Sequence, residues 1–426
     1  REHVGRIRAI AAVPLAAIGG LLLDVATPSL NWWPAAILGG ALVMAAVWRQ
    51  RPGRGALLGA IAGGAFWLLH ISWLTLYLRP GPWLALSGAM TAWFALVGAA
   101  SALATRGLDA LLAERRWALI AAQSLAVAGL WVLREQVQSV WPYGGFAWGR
   151  LAHTQAEGPL VALVSWLGFS GLSGLLALAS ALPVAVVLSR RRASAIDRAG
   201  EGGLAALAVA AVLAALALVP PASLAQTGVL RVAAVQGDSK SGIFDDRENG
   251  DVIRDHLDAT EALLDRLEAR GESVDVIVWP ENSAEFALPE QVYRSAAVAR
   301  LSERAGAPIV VGTILEDPGG RYTNSTLVYD ADGDTGVRYD KRRPVPFAEY
   351  MPNRAFYRSL APELVDLVRL EYSAGTRPAA LRVDGASGAF SAGIAICFDI
   401  IFDDHAEAMT RAGAGVIFAQ TNNADF

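Results

Sequence analysis

Apolar residues fall along this chain in two rhythms, and the change comes near residue 225. Before that point long apolar runs are separated by short links carrying Arg. Runs long enough to cross a hydrocarbon layer, about 20 residues each as a helix over roughly 30 Å, cover approximately 9-26, 31-48, 56-78, 83-105, 117-134, 160-188 and 204-221. Lipid cannot satisfy backbone polar groups, so these runs are predicted to be helices. Gly59, Gly63 and Gly64 are small residues suited to close helix packing.

From residue 229 onward short β-rich runs alternate with amphipathic helical stretches. Leu230 to Gln236, Val274 to Trp279, Ile309 to Ile314, Ser325 to Tyr329, Ala389 to Ile396 and Gly415 to Gln420 read as strands. Val252 to Arg270, Glu290 to Ala305 and Asp404 to Ala412 read as helices, which implies an α/β core covered by helices. The expected organisation is a transmembrane helical domain over 1-225 with about seven spans, then a catalytic domain over 226-426.

Composition agrees with a chain that meets two solvents, being 54% hydrophobic and 18% charged. The net charge of -4 and the lack of a basic patch interleaved with aromatics give no nucleic-acid signal. A single cysteine, Cys397, excludes an intramolecular disulfide and a cysteine-cluster metal site. No glycine-rich phosphate loop precedes any helix of the second half, which weakens nucleotide-binding readings.

The Arg residues set the orientation. One set of links holds Arg1, Arg6 and Arg8; Arg49, Arg51 and Arg54; Arg106, Arg115 and Arg116; and Arg190, Arg191, Arg192 and Arg198. The alternate links hold only Arg79, Arg134 and Arg150. The positive-inside rule places the first set in the cytoplasm and, with an odd number of spans, the second half outside. The first apolar run also has the layout of a signal peptide, but it is long and no clear small-residue cleavage site follows it, so a retained helix is expected. Trp32, Trp33, Trp73, Trp83 and Trp141 near span ends fit an interfacial belt. His70, inside the third run, is expected to be a neutral imidazole hydrogen-bonded between helices rather than a functional group.

Three polar residues stand after strands or in adjoining loops, where α/β folds place their chemistry. Glu281 follows Val276-Ile277-Val278-Trp279-Pro280, Lys341 lies in Tyr339-Asp340-Lys341-Arg342, and Cys397 ends Gly393-Ile394-Ala395-Ile396-Cys397. A carboxylate can take the proton of a thiol, and an ammonium can stabilise both the thiolate and a tetrahedral oxyanion, so the trio suffices for acyl transfer. Singly, each has an ordinary reading as a buried small hydrophobe, a solvated acid or a water-facing base. Their occurrence together inside three motifs outweighs that.

Those motifs resemble the carbon-nitrogen hydrolase (nitrilase) superfamily, in the order Glu, Lys, Cys. Trp279-Pro280-Glu281, and Lys341 continuing through Val345-Pro346-Phe347-Ala348-Glu349-Tyr350-Met351-Pro352, are similar to its membrane-bound branch, the apolipoprotein N-acyltransferase family. So is Trp141-Pro142-Tyr143-Gly144-Gly145-Phe146-Ala147-Trp148-Gly149-Arg150-Leu151, which resembles that family's extracytoplasmic loop before the sixth span.

The resemblance implies an αββα sandwich in the second half, with Glu281 as general base, Lys341 as oxyanion stabiliser, Cys397 as nucleophile and Glu349 as a supporting carboxylate. Phe398 and Asp399 would support the site, and Trp148, Phe146 and Phe244 would contact substrate. It implies a cofactor-free, metal-free N-acyltransferase of a bacterial cytoplasmic membrane, with the catalytic domain on the extracytoplasmic face. The donor would be a phospholipid and the acceptor a diacylglyceryl-apolipoprotein, joined through a Cys thioester.

There are departures. After the nucleophile the family usually has Tyr-Glu, where this chain has Phe398-Asp399, and after Val235-Gln236-Gly237 it often has Asn, where this chain has Asp238. The family also continues past Asn422-Asn423 with a helical segment and a final span, and the chain opens on Arg, so a piece of a longer protein is expected. Two other readings compete. A membrane-tethered nitrilase-type amidase would share the trio but would need only one anchor. A non-catalytic receptor or transporter would need intramembrane charges along an ion path, and the first half has few.

Overall fold

The computed structural model describes residues 7–76, 80–189, 194–226, 228–239 and 248–422. They form two compact units that divide between Ala225 and Gln226.

The first unit is helical: α1 (Ala9–Val25), α2 (Ala35–Val47), α3 (Pro52–His70), α4 (Pro80–Leu112), α5 (Arg116–Gln138), α6 (Val164–Ser189) and α7 (Ala195–Leu216). Four stretches, Pro80–Leu112, Arg116–Gln138, Val161–Ser189 and Ile196–Leu216, are long and apolar enough to cross a membrane, while α1 and α2 are shorter apolar helices. Every expected run overlaps one of these helices, but the ends differ for local reasons. The third run stops being α-helical at His70 and continues as a 3-10 turn over Ser72–Leu76. The fourth helix outlasts its apolar run because Asp109, near its end, pairs with Arg49 at 2.5 Å. In the sixth, Gly168 adopts φ 65° and breaks the helical path. The seventh starts early because Ser194 caps it, its Oγ accepting the Asp197 N–H at 3.1 Å.

Small residues let α3 and α4 approach closely. A Cβ on Gly59 would stand 2.2 Å from the Phe94 carbonyl oxygen, and one on Gly63 would stand 2.7 Å from Phe94 Cβ. Gly64 faces open space, so its expected packing role is not met. His70 Nδ1 lies 3.3 Å from Asp24 Oδ1, joining α3 to α1 as an interhelical contact. Buried Glu135 accepts from Trp131 Nε1 at 3.0 Å, Arg134 Nη2 at 3.2 Å and the Leu151 N–H at 2.9 Å. Gln138 donates to the carbonyls of Phe146 and Trp148 at 3.0 and 3.1 Å. The last turn of α5 thereby fixes the loop that carries Phe146 and Trp148.

The second unit runs β1 (Val232–Ala234), α8 (Asp251–Arg270), β2 (Val276–Val278), α9 (Val292–Ala305), β3 (Ile309–Glu316), β4 (Tyr322–Asp330), β5 (Gly333–Asp340), α10 (Arg354–Leu360), α11 (Pro362–Val365), β6 (Ala380–Gly385), β7 (Gly388–Ile396), α12 (Asp403–Arg411) and β8 (Val416–Gln420). One sheet has the order β1-β2-β3-β4-β5 and the other β6-β7-β8. β1, β2 and β3 are parallel, as are β7 and β8, and the remaining pairs are antiparallel.

Alternation along the strands makes the layers. Ile277, Ile309 and Val311 pack with Ile253 and Leu264 of α8 and Val298 and Leu301 of α9. Their neighbours Val276 and Val310, with Val328 and Tyr339, pack against Val383, Ile394, Ile396 and Phe418 of the other sheet. Met409 of α12 covers Ala395 from the far side. The order helix, sheet, sheet, helix is the αββα sandwich expected by resemblance. Two strands, β5 and β6, were not expected. β5 reads Gly-Asp-Thr-Gly-Val-Arg-Tyr-Asp, an edge strand exposed over much of its length, so it lacks the apolar pattern that marks a buried strand.

Candidate active site

Strand ends of both sheets converge on one cluster. Glu281 follows β2 and Lys341 follows β5. Cys397 follows β7, and Thr421 and Asn422 follow β8. Gln420 draws the end of β8 to β2, its amide donating to the Trp279 carbonyl at 2.6 Å. The Asn422 N–H then reaches Glu281 Oε2 at 3.0 Å. Behind Glu281 there is no room for a side chain at position 312. A Cβ on Gly312 would meet Pro280 O at 2.4 Å and Glu281 Cα at 3.0 Å.

Lys341 is buried, with its Nζ 2.9 Å from Glu349 Oε2 and 3.4 Å from Glu281 Oε1. Asn324, in β4, ties the two acids together by donating to Glu281 Oε1 at 2.6 Å and to Glu349 Oε1 at 3.2 Å. The Val345 N–H holds Glu349 Oε2 at 2.6 Å. Burial alone would lower the ammonium pKa, but Glu349, Glu281 and the Cys397 sulfur outweigh it and hold Lys341 well above its ordinary value.

Cys397 starts a 3-10 turn with φ 49°, a left-handed conformation that costs energy for a residue with a Cβ. Its thiol is pushed up to about 11, first by burial and then by Glu281, with Glu349 adding to the rise. Lys341 and a hydrogen bond from the Thr421 side chain pull the other way without reversing it. Burial, with Glu281 and Glu349 adding to it, keeps the thiol protonated near neutral pH.

Asp399 lies fully buried two residues beyond the thiol. It accepts from Tyr339 Oη at 2.7 Å, the Arg343 N–H at 2.8 Å and the Ile396 N–H at 3.2 Å. One carboxylate therefore ties the Cys397 turn to the Lys341 loop. Asp399→Ala would leave these donors without a partner and is expected to cost about 3 kcal/mol of stability. Thermal unfolding of the purified protein reads this, and Asp399→Asn, which keeps one acceptor oxygen, should fall between the two. An unchanged melting temperature for the alanine variant would contradict the bridging role.

Of the residues singled out from sequence, Glu281, Lys341, Glu349 and Cys397 come together, with Phe398 and Asp399 in the adjoining turn. Phe398 packs edge-on against Phe402 at 5.0 Å. Phe146 and Trp148 belong to the first unit, stacked on each other at 6.1 Å and packed on its core. Phe244 lies outside the described residues. Asn324, Thr421, Asn422 and Tyr372 were not anticipated. Asn324 has only its strand alternation to mark it, and Tyr372 stands in a loop with no periodicity.

Residues 19–182 match the family described as apolipoprotein N-acyltransferase N-terminal domain, and residues 231–426 match carbon-nitrogen hydrolase. An apolipoprotein N-acyltransferase of Mycolicibacterium smegmatis is 30% identical, aligned over 96% of this chain and 69% of that one. One of Geobacter metallireducens is 28% identical over 97% and 77%, and one of Gloeobacter violaceus 29% over 100% and 79%. Among solved structures an amidase from Nesterenkonia sp. is 14% identical, with a TM-score of 0.30 over 47% of this chain and 67% of that one. The likeness that counts runs through both units at once, since the helical half and the hydrolase half each match and relatives aligned over nearly all of this chain join them. The chain belongs to the apolipoprotein N-acyltransferase family.

Proposed function

We propose that this protein moves an acyl chain from a phospholipid to the α-amine of a diacylglyceryl-modified N-terminal cysteine of an apolipoprotein, through a thioester on Cys397. The observation that carries the reading is the convergence of one thiol, one buried ammonium and two acids, with Lys341 Nζ 3.4 Å from Glu281 and 2.9 Å from Glu349.

In the first half-reaction Glu281 takes the thiol proton as Sγ attacks the ester carbonyl of the donor. Lys341 stabilises the tetrahedral oxyanion. The C–S bond forms, the ester C–O bond breaks, and Glu281 returns the proton to the departing lysophospholipid alcohol. In the second half the acceptor amine attacks the thioester, the C–N bond forms, the C–S bond breaks, and the amine proton passes through Glu281 to the sulfur. Glu349, bound to the ammonium and to the Val345 N–H, holds Lys341 in place. A protonated resting thiol suits this sequence, because the proton leaves only when an electrophile is present.

The assignment of the first unit as a membrane domain over 1-225 and the second as a catalytic domain over 226-426 rests on the apolar helices and the family. The distribution of Arg supports a cytoplasmic membrane with the catalytic unit on the extracytoplasmic face. Phe146, Trp148 and Phe244 are assigned to substrate contact on motif resemblance alone.

Purified protein incubated with phospholipid alone should gain the mass of one acyl chain on Cys397, and a diacylglyceryl lipopeptide should remove it. Folded protein that never acquires the adduct would overturn the reading.

A further inference from the structure

One aromatic series in the second unit leads away from the catalytic cluster and has no part in the chemistry above. Phe286 pairs with Ile314 in a parallel bridge, and Ile314 stands opposite Asn324 in the β3-β4 ladder. Asn324 is the residue that touches both Glu281 and Glu349. Tyr322 lies two positions before Asn324 in the same strand, so their side chains share a face, roughly 7 Å apart. The Tyr322 ring meets Phe286 edge-on at 6.3 Å and Tyr372 at 6.2 Å. Tyr372 in turn donates its N–H to the Glu349 carbonyl at 2.9 Å. Its phenol lies within the electrostatic reach of Glu349, Lys341 and Glu281. Burial is graded along the series: Phe286 is 43% exposed, while Tyr322 and Tyr372 are half-buried.

We propose that Phe286, Tyr322 and Tyr372 form the wall along which the acyl chain carried by Cys397 lies, with Tyr372 at the carbonyl end and Phe286 at the methyl end. This rests on the acyl-transfer reading above. The occupant follows from continuity with the site. The series begins beside the residues that surround the thiol, consists of aromatic rings, and ends at the partly exposed Phe286, so a chain of many methylenes can continue along it. A long chain covers all three rings and a short one only the inner ring. The wall therefore sets a preference for chain length.

The test compares a palmitoyl phospholipid with an octanoyl phospholipid as sole donor, reading the Cys397 adduct by mass spectrometry over time. Phe286→Ala and Tyr322→Ala are expected to slow adduct formation from the palmitoyl donor by about tenfold, the scale of a few lost methylene contacts. The octanoyl rate should change little. Phe286 is exposed, so its substitution should leave the fold intact. Tyr372→Phe keeps the ring and should keep the preference. If wild-type protein forms no adduct from either donor, the acyl-transfer reading fails and the wall with it. If wild-type forms adducts and the alanine variants leave the ratio of the two rates unchanged, the wall alone is overturned.

Discussion

Cys397→Ala is expected to remove acyl transfer to the background rate, a loss on the order of 10⁴–10⁶-fold, because the variant lacks the thiol that forms the covalent intermediate. Cys397 is the only cysteine in the chain, so no second thiol can rescue the reaction. The substitution is mild for the fold. Alanine keeps the Cβ and therefore the same left-handed turn at φ 49°, and the sulfur it removes is hydrogen-bonded to the Thr421 side chain. The melting temperature should stay near that of the parent. Transfer to a diacylglyceryl lipopeptide and the acyl mass on the protein are measured together. Retained transfer in the alanine variant would remove the thioester from the mechanism.

Glu281→Gln should cost about 10²–10⁴-fold in transfer, the usual contribution of a positioned general base. It should also change the thiol in the opposite sense. After burial, Glu281 is the largest cause of the rise to about 11, so replacing its charge lowers the thiol pKa. A neutral alkylating reagent reacts with the thiolate, whose fraction in the parent increases about tenfold per pH unit until pH nears 11. In the variant that curve moves to lower pH, and at a fixed mildly alkaline pH Cys397 is alkylated faster. Slower catalysis with a more reactive sulfur is the signature of a base that works during attack. Were alkylation unchanged, Glu281 would not be the charge that holds the proton on sulfur. Were transfer unchanged, it would not be the base.

Much of the fold was legible because burial leaves a pattern in the chain. β2 and β3 are covered on both faces and read as apolar runs, and α8 and α9 show one apolar stripe each. β5 was missed because an exposed edge strand carries the same residues as a loop. The end of α4 was missed because apolar runs stop at the first charged residue, whereas Asp109 is held in the helix by Arg49. Glu281, Lys341, Glu349 and Cys397 were found through short motifs rather than through periodicity. What no motif conveys is the sum of charges in space. The protonation state of Cys397 depends on burial and on Glu281 and Glu349 standing close by, and Asn324, which binds both acids, is an ordinary strand residue.

Asp399 has one further consequence. Since a single buried side chain grips the segment before the sulfur and the segment after the ammonium, thermal drift of the two sheets moves both reactive groups in step.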